Sequence, residues 1–191
     1  MTRVREADPA DAAAVRRVHE ASILGLGPRG YDAEQVDAWA GDRTPADYGH
    51  LGGAGRHSVV AERDGDADGD SRGDGAVVGF GELTPERADY LAGPPATVGG
   101  DDAAVGAVEA VYVHPAHAGE GVGSALLAAL EREASARGLD ALGLHASLNA
   151  VGFYERRGYE REREATHAFG DDPDVTGTVV ELWKRLDRGP R

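Results

Sequence analysis

Residues 105–113, VGAVEAVYV, are apolar at almost every position and read as a strand. A bend, HPAHAGEG, separates them from VGSALLAALEREASAR, where Val122, Leu126, Leu127, Leu130 and Ala134 recur at helical spacing. The apolar period thus passes from a strand to a helix predicted over 121–137, which Gly138 stops. Upstream, TRVRE (2–6) predicts a short strand. Asp8-Pro9 predicts an N-cap with proline in the first turn of a helix running to about Ser22, and GLGPRG (25–30) breaks it. Asp32 caps a second short helix over 32–40, with Val36 and Trp39 on its apolar face. HSVVAER (57–63) and AVVGFGEL (76–83) predict paired strands, and residues 85–104 a long loop. Downstream come a strand at 140–146, a short helix near 149–156, and alternating stretches at 158–169 and 178–186 that predict C-terminal antiparallel strands. The order is β-α-α-β-β-β-α-β-α-β-β, with no internal repeat and no linker between separate cores, so 1–191 reads as one domain.

Composition removes several options. The chain has no cysteine, which excludes disulfides, thiolate metal sites and a cysteine nucleophile. It lacks a run of 18 apolar residues and an apolar N-terminal segment, and so reads as a soluble cytoplasmic protein. Net charge is −14, from 34 acidic and 20 basic residues, and Lys184 is the lone lysine. Such a surface repels phosphate backbones and argues against nucleic-acid binding. The balance resembles cytosolic proteins of salt-loving archaea, where acid serves solubility in brine, so the net charge does not identify a ligand. DGDADGDSRGDG (64–75) places Asp64, Asp66, Asp68 and Gly69 as a calcium loop would, but Gly75 stands where the bidentate Glu belongs. A solvated acidic turn is the better reading.

The bend carries the candidate chemistry. Gly119, Gly121 and Gly123 alternate at a helix start, where free N–H groups and the helix dipole suit phosphate. A Walker A loop is excluded because Gly123-Ser124 lacks the lysine. A dinucleotide fingerprint fits poorly: HPAHA intervenes after the strand, and Asp140 precedes the next strand rather than ending it. His114 and His117 are three apart but have no further ligand in reach, so no metal site is expected.

VEAVYVHPAHAGEGVGSALLAAL (108–130) and LHASLNAVGFYERRGY (144–159) together resemble the core of the GNAT acyl-CoA-dependent N-acetyltransferases. That family runs from a strand ending in V-x-P to [R/Q]-x-x-G-x-[G/A] at a helix start, then a second strand and an N/S-x-x-A-x-x-F-Y-E-x-x-G-[F/Y] helix. YDAEQVDAWA (31–40) also resembles a substrate-side segment of some members. The resemblance implies an α/β (α+β) fold with a central mixed, mostly antiparallel sheet of about seven strands and about four flanking helices. It implies that Ala118, Gly119, Glu120, Gly121, Val122, Gly123 and Ser124 hold the pyrophosphate of acetyl-CoA through their amides. It implies too that Val111, Tyr112 and Val113 receive the pantetheine arm like one more strand, with the Val113 N–H polarising the thioester carbonyl. Phe153 and Asn149 are further cofactor contacts, although Asn149 reads first as a helix N-cap; Ser147 takes the family's Asn slot. Ala118 departs from the family's Arg or Gln, which predicts weaker pyrophosphate binding.

Direct transfer to a primary amine needs a base, because an ammonium of pKa ~10.4 must lose a proton, and an acid for the departing thiolate. By the resemblance Tyr154 is the acid; the other reading is a packed core tyrosine. Glu109 is the candidate base. A carboxylate in an apolar strand is costly without purpose or partner, period-2 geometry puts it on the face of Val111 and Val113, and some family members carry an acid there. An ion pair with a nearby arginine is the other reading. Tyr31, Trp39 and His145 are candidate acceptor contacts, each also readable as core. The acceptor would enter between 22–41, 85–104 and 166–176. A homodimer through residues 178–186 is a further expectation. Competing functions are a non-catalytic acyl-CoA-binding module and, more remotely, a dinucleotide-dependent oxidoreductase.

Overall fold

A computed structural model describes residues 1–63, 76–99, 102–170 and 173–187. The acidic segment weighed for calcium lies outside these residues. The strands are β1 (Thr2–Glu6), β2 (His57–Arg63), β3 (Ala76–Thr84), β4 (Val105–Val113), β5 (Ala141–Ser147), β6 (Glu160–Ala168) and β7 (Thr176–Arg185). The helices are α1 (Ala12–Leu26), α2 (Ala33–Ala40), α3 (Val122–Ala136) and α4 (Val151–Glu155). The sheet runs β1-β2-β3-β4-β5-β7-β6, and every neighbouring pair is antiparallel except β4 with β5. This is the mixed, mostly antiparallel architecture that the family resemblance implies.

Each face of the sheet buries one long helix. The stripe Leu126, Leu127, Leu130 and Ala134 of α3 packs on Val59, Val78, Leu144 and Leu182. On the other face, Val15 and Val18 of α1 meet Val60 and Phe80. Asp8 and Asp32 cap as their sequence positions predict, each in a reciprocal capping box. Helix α1 runs four residues past Ser22, through Gly25, because its last turn crosses closely over the end of β4: a Cβ at Gly25 would lie 2.5 Å from Pro115 Cγ. That crossing brings residues 22–29 over the centre of the sheet.

Two sheet features overturn sequence expectations. Leu83 pairs with Val108 but Glu82 pairs with Ala110, so Glu109 is the extra residue of a one-residue bulge. The bulge shifts the phase of β4. Val108, Val111 and Val113 pack toward the α3 side, while Ala110 and Tyr112 pack toward α1. As the bulged residue, Glu109 is outside the period-2 alternation that the sequence suggests, and it bonds to Tyr90 of the β3–β4 loop. Second, β7 lies between β5 and β6 with both edges paired, so residues 178–186 have no free edge for a second copy.

Candidate active site

Strands β4 and β5 touch only at their starts, where Val105, Gly106 and Ala107 pair with Ala141, Leu142 and Gly143. Beyond Ala107 they part. His114 N–H donates to Val78 O at 2.8 Å, on the β3 side. By the alternation of an antiparallel pair, Tyr112 turns the same way, and the N–H and C=O groups of Val111 and Val113 face the gap. A sheet open in its middle thus presents unpaired backbone to an extended ligand.

The glycine bend closes the mouth of this gap. Gly119 (φ +82°) and Gly121 (φ +85°) are left-handed, and an added Cβ at either would meet no atom within 4 Å. Gly121 occupies the N-cap of α3 and offers no side-chain acceptor, so the first-turn amides of Val122, Gly123 and Ser124 stay free for an anion. Gly123 has a different reason: its Cβ would stand 3.2 Å from the Phe153 ring of α4. Three of the expected contacts are modified. The Ala118 amide is used within its turn, on Pro115 O at 3.1 Å, and the Glu120 amide on His117 O at 3.4 Å. The Glu120 carboxylate pairs with Arg63 and His117 and does not line the cleft. Val122 is buried in the core, so only its amide is placed for a ligand.

The cleft that runs along the gap has a volume of about 670 Å³. Val111, Tyr112, Val113, Ala118, Gly119, Gly121, Gly123, Ser124, Asn149, Phe153, Tyr154, Glu109, Trp39 and His145 all line it. Asn149 does not cap α4: the cap position is Ala150, with no side-chain bond, and Asn149 turns toward the cleft beside Gly30. Tyr154 is 7% exposed, and its hydroxyl makes no hydrogen bond among the described residues. Burial pushes the phenol well up, so it holds its proton at neutral pH. Asp140, the acid of a dinucleotide reading, accepts from the Ala104 N–H at 3.1 Å at the base of the split, outside the cleft.

At the far end, Tyr90 donates to Glu109 Oε2 at 3.1 Å and its ring lies 4.8 Å from that of His145. Burial and the Glu109 charge push the Tyr90 phenol up. His145 Nε2 is 3.6 Å from Glu181, too long for a hydrogen bond, and burial lowers its pKa. Glu181 is fully buried. Burial opposes its ionisation, but Trp183 Nε1 (2.7 Å), Ala92 N–H (3.2 Å) and Arg163 Nε (2.9 Å) donate to it and hold its carboxyl below the usual range. The Ala92 bond also anchors the loop that carries Tyr90. Trp39 and Phe169 wall this end with ring centroids 5.5 Å apart. Tyr31 does not reach it. Its hydroxyl donates to Thr178 O at 2.8 Å and accepts from Leu148 N–H at 3.1 Å, so it braces the wall from behind. The sequence alone does not single out Tyr90, set in an aperiodic Gly/Pro-rich loop, or Arg157, set at a position the motif leaves free. The paired aromatic and carboxylate spacing of Tyr90 and Glu109 exists only in three dimensions.

The fold and cleft define an α/β protein built to hold an extended, phosphate-bearing ligand beside a carboxylate and a phenol. The sequence matches the model of the Acetyltransferase (GNAT) family over residues 29–159, and the chain belongs to that family. Solved structures agree. A GCN5-related N-acetyltransferase from Rhodopseudomonas palustris is 28% identical, with 97% of this chain and 96% of that one covered and a TM-score of 0.73. PaiA N-acetyltransferase from Thermoplasma acidophilum, in complex with coenzyme A, shares the fold at 16% identity, 97% and 99% coverage and a TM-score of 0.67. A phosphinothricin acetyltransferase from Sinorhizobium meliloti, in complex with acetyl-CoA, does so at 19% identity, 98% and 90% coverage and 0.65. No curated protein matches the chain in sequence. The chain is thus a member of an acetyltransferase family, and its uncapped helix start with open space above Gly119 and Gly121 has the form of an anion cradle. No helix among the described residues is long and apolar enough to cross a membrane.

Proposed function

We propose that the chain transfers the acetyl group of acetyl-CoA directly to a small primary amine, with Glu109 as base and Tyr154 as acid. The observation that carries this reading is that both groups line one cleft, along the stretch of β4 that has parted from β5. Acetyl-CoA supplies the activated thioester. The first-turn amides of α3 hold its pyrophosphate, and the Val111 and Val113 backbone groups hold the arm in extended form. The Val113 N–H faces the gap and polarises the thioester carbonyl.

Among the described residues, Glu109 is the only carboxylate lining the cleft. It takes a proton from the incoming ammonium, directly or through water. Tyr90 fixes one of its oxygens and leaves the other for this step. Tyr154, protonated at neutral pH, gives its proton to the departing sulfur. The acceptor end is walled by Ile23, Trp39, Phe169 and Val179, which favours an amine on an apolar framework. No cysteine is present to carry the acetyl group in between.

Steady-state kinetics on Tyr154→Phe and Glu109→Gln test these roles. Each variant is expected to lose kcat at least about tenfold while CoA affinity holds, since positioned proton transfer contributes about 10²–10⁴-fold. Full activity in both variants would remove the two residues from the mechanism.

A further inference from the structure

Ala118 leaves the bend without the long polar side chain that the family pattern places there, and a methyl group has no donor for a phosphate. A guanidinium nevertheless reaches the helix start. Arg157, just past α4, donates through Nη1 to Phe153 O at 2.8 Å and through Nη2 to Ser124 Oγ, and its Cζ lies 3.8 Å above the Phe153 ring. Phe153 is itself seated against Gly123. The charge is thereby fixed on the first turn of α3, beside its free amides.

Arg5, Arg16, Arg56 and Arg163 each meet a carboxylate within 3.0 Å. Among the described residues the bonds and ring contact of Arg157 go to neutral groups only. The acid that acts on it, Glu131, is itself bridged to Lys184 Nζ at 2.8 Å. Burial and the adjacent Arg156 charge lower its pKa, an effect that an anion beside it would reverse. Two of the five N–H donors of the guanidinium are used, and the rest are available to a ligand.

We propose that Arg157 binds the pyrophosphate of CoA and substitutes, from the turn after α4, for the side chain missing at Ala118. This rests on the acetyl-CoA reading above. It adds a forked cation to the α3 amides beside which it lies.

Calorimetric titration with CoA, with dephospho-CoA, which lacks the 3′-phosphate, and with pantetheine, which lacks all phosphate, separates the sources of binding. R157Q is expected to weaken CoA and dephospho-CoA alike by about tenfold and pantetheine hardly at all. R157K keeps the stem over Phe153 and the charge but not the fork, and falls between. Adding A118R to R157Q restores much of the loss. An equal fall for all three ligands would overturn the proposal in favour of a brace for Phe153. A fall for CoA alone would assign Arg157 to the 3′-phosphate instead. Unchanged binding throughout would remove it from the site. A parent protein that binds none of the three would overturn the acetyl-CoA reading itself, and this inference with it.

Discussion

Replacing Gly121 by alanine separates backbone conformation from packing at the bend. Gly121 sits at φ +85°, and an alanine Cβ there meets nothing within 4 Å, so the substitution brings strain without a clash. Holding an L-residue in the left-handed region costs about 1–2 kcal/mol. Alanine also narrows the unfolded ensemble, which returns about 0.4–1 kcal/mol. The net loss is therefore about 1 kcal/mol. If the bend keeps its shape, the loss appears as a Tm about 2–4 °C lower, the scale for a chain of this size. If the bend relaxes instead, Tm holds and CoA binding weakens about fivefold, the same free energy in an equilibrium constant. Thermal melts without ligand and calorimetric titration with CoA read the two terms. Gly123→Ala is the contrast, because its Cβ would stand 3.2 Å from Phe153 and the damage there is steric. A Gly121→Ala protein that melts like the parent and binds CoA equally well would refute the claim that this geometry is required.

The Tyr90 hydroxyl is expected to act through Glu109: Tyr90→Phe should lower kcat about fivefold, the share of a hydrogen bond worth about 1 kcal/mol, and leave the KM for acetyl-CoA unchanged. Steady-state kinetics in which neither kcat nor the amine KM moves would contradict this. His19 lies half-buried between α1 and the sheet with Nδ1 bonded to Tyr48 Oη at 2.7 Å and no partner at Nε2 among the described residues, and desolvation, aided by the Arg43 charge, lowers its pKa to about 3. The unfolded chain protonates this histidine near pH ~6.5 and the folded chain does not, so its contribution to stability is lost as pH falls from about 6.5 to about 3, by up to about 1.4 kcal/mol per pH unit. Urea midpoints for the parent and His19→Gln should converge in acid; parallel pH dependence in both would show that His19 does not titrate this way.

The parts of the site that lie on one continuous segment were legible in the sequence. The change of apolar period at the bend, the alternating glycines and the FYE helix all reside within residues 105–159, and local physics places them. What escaped depends on pairing between distant segments. The bulge at Glu109 is created by the register of β4 against β3, so period 2 alone does not fix the direction of its side chain. The interior position of β7 follows from β6 folding back on its outer edge, which nothing in residues 178–186 announces. Asn149 has the chemistry of a cap, but α4 starts two residues later, at Val151. Tyr31 reads like any aromatic near a cleft until its hydroxyl is seen tied to Thr178 and Leu148.

The central claim is acetyl transfer from acetyl-CoA to an amine in the split between β4 and β5. The most direct test follows free thiol released from acetyl-CoA by the parent protein, in high salt, across a panel of primary amines, with mass spectrometry of the amine. The account predicts amine-dependent thiol release with one acetyl group on the acceptor for each thiol freed. Protection of the fold by CoA with no thiol release for any amine would contradict it and leave a CoA-binding module in its place.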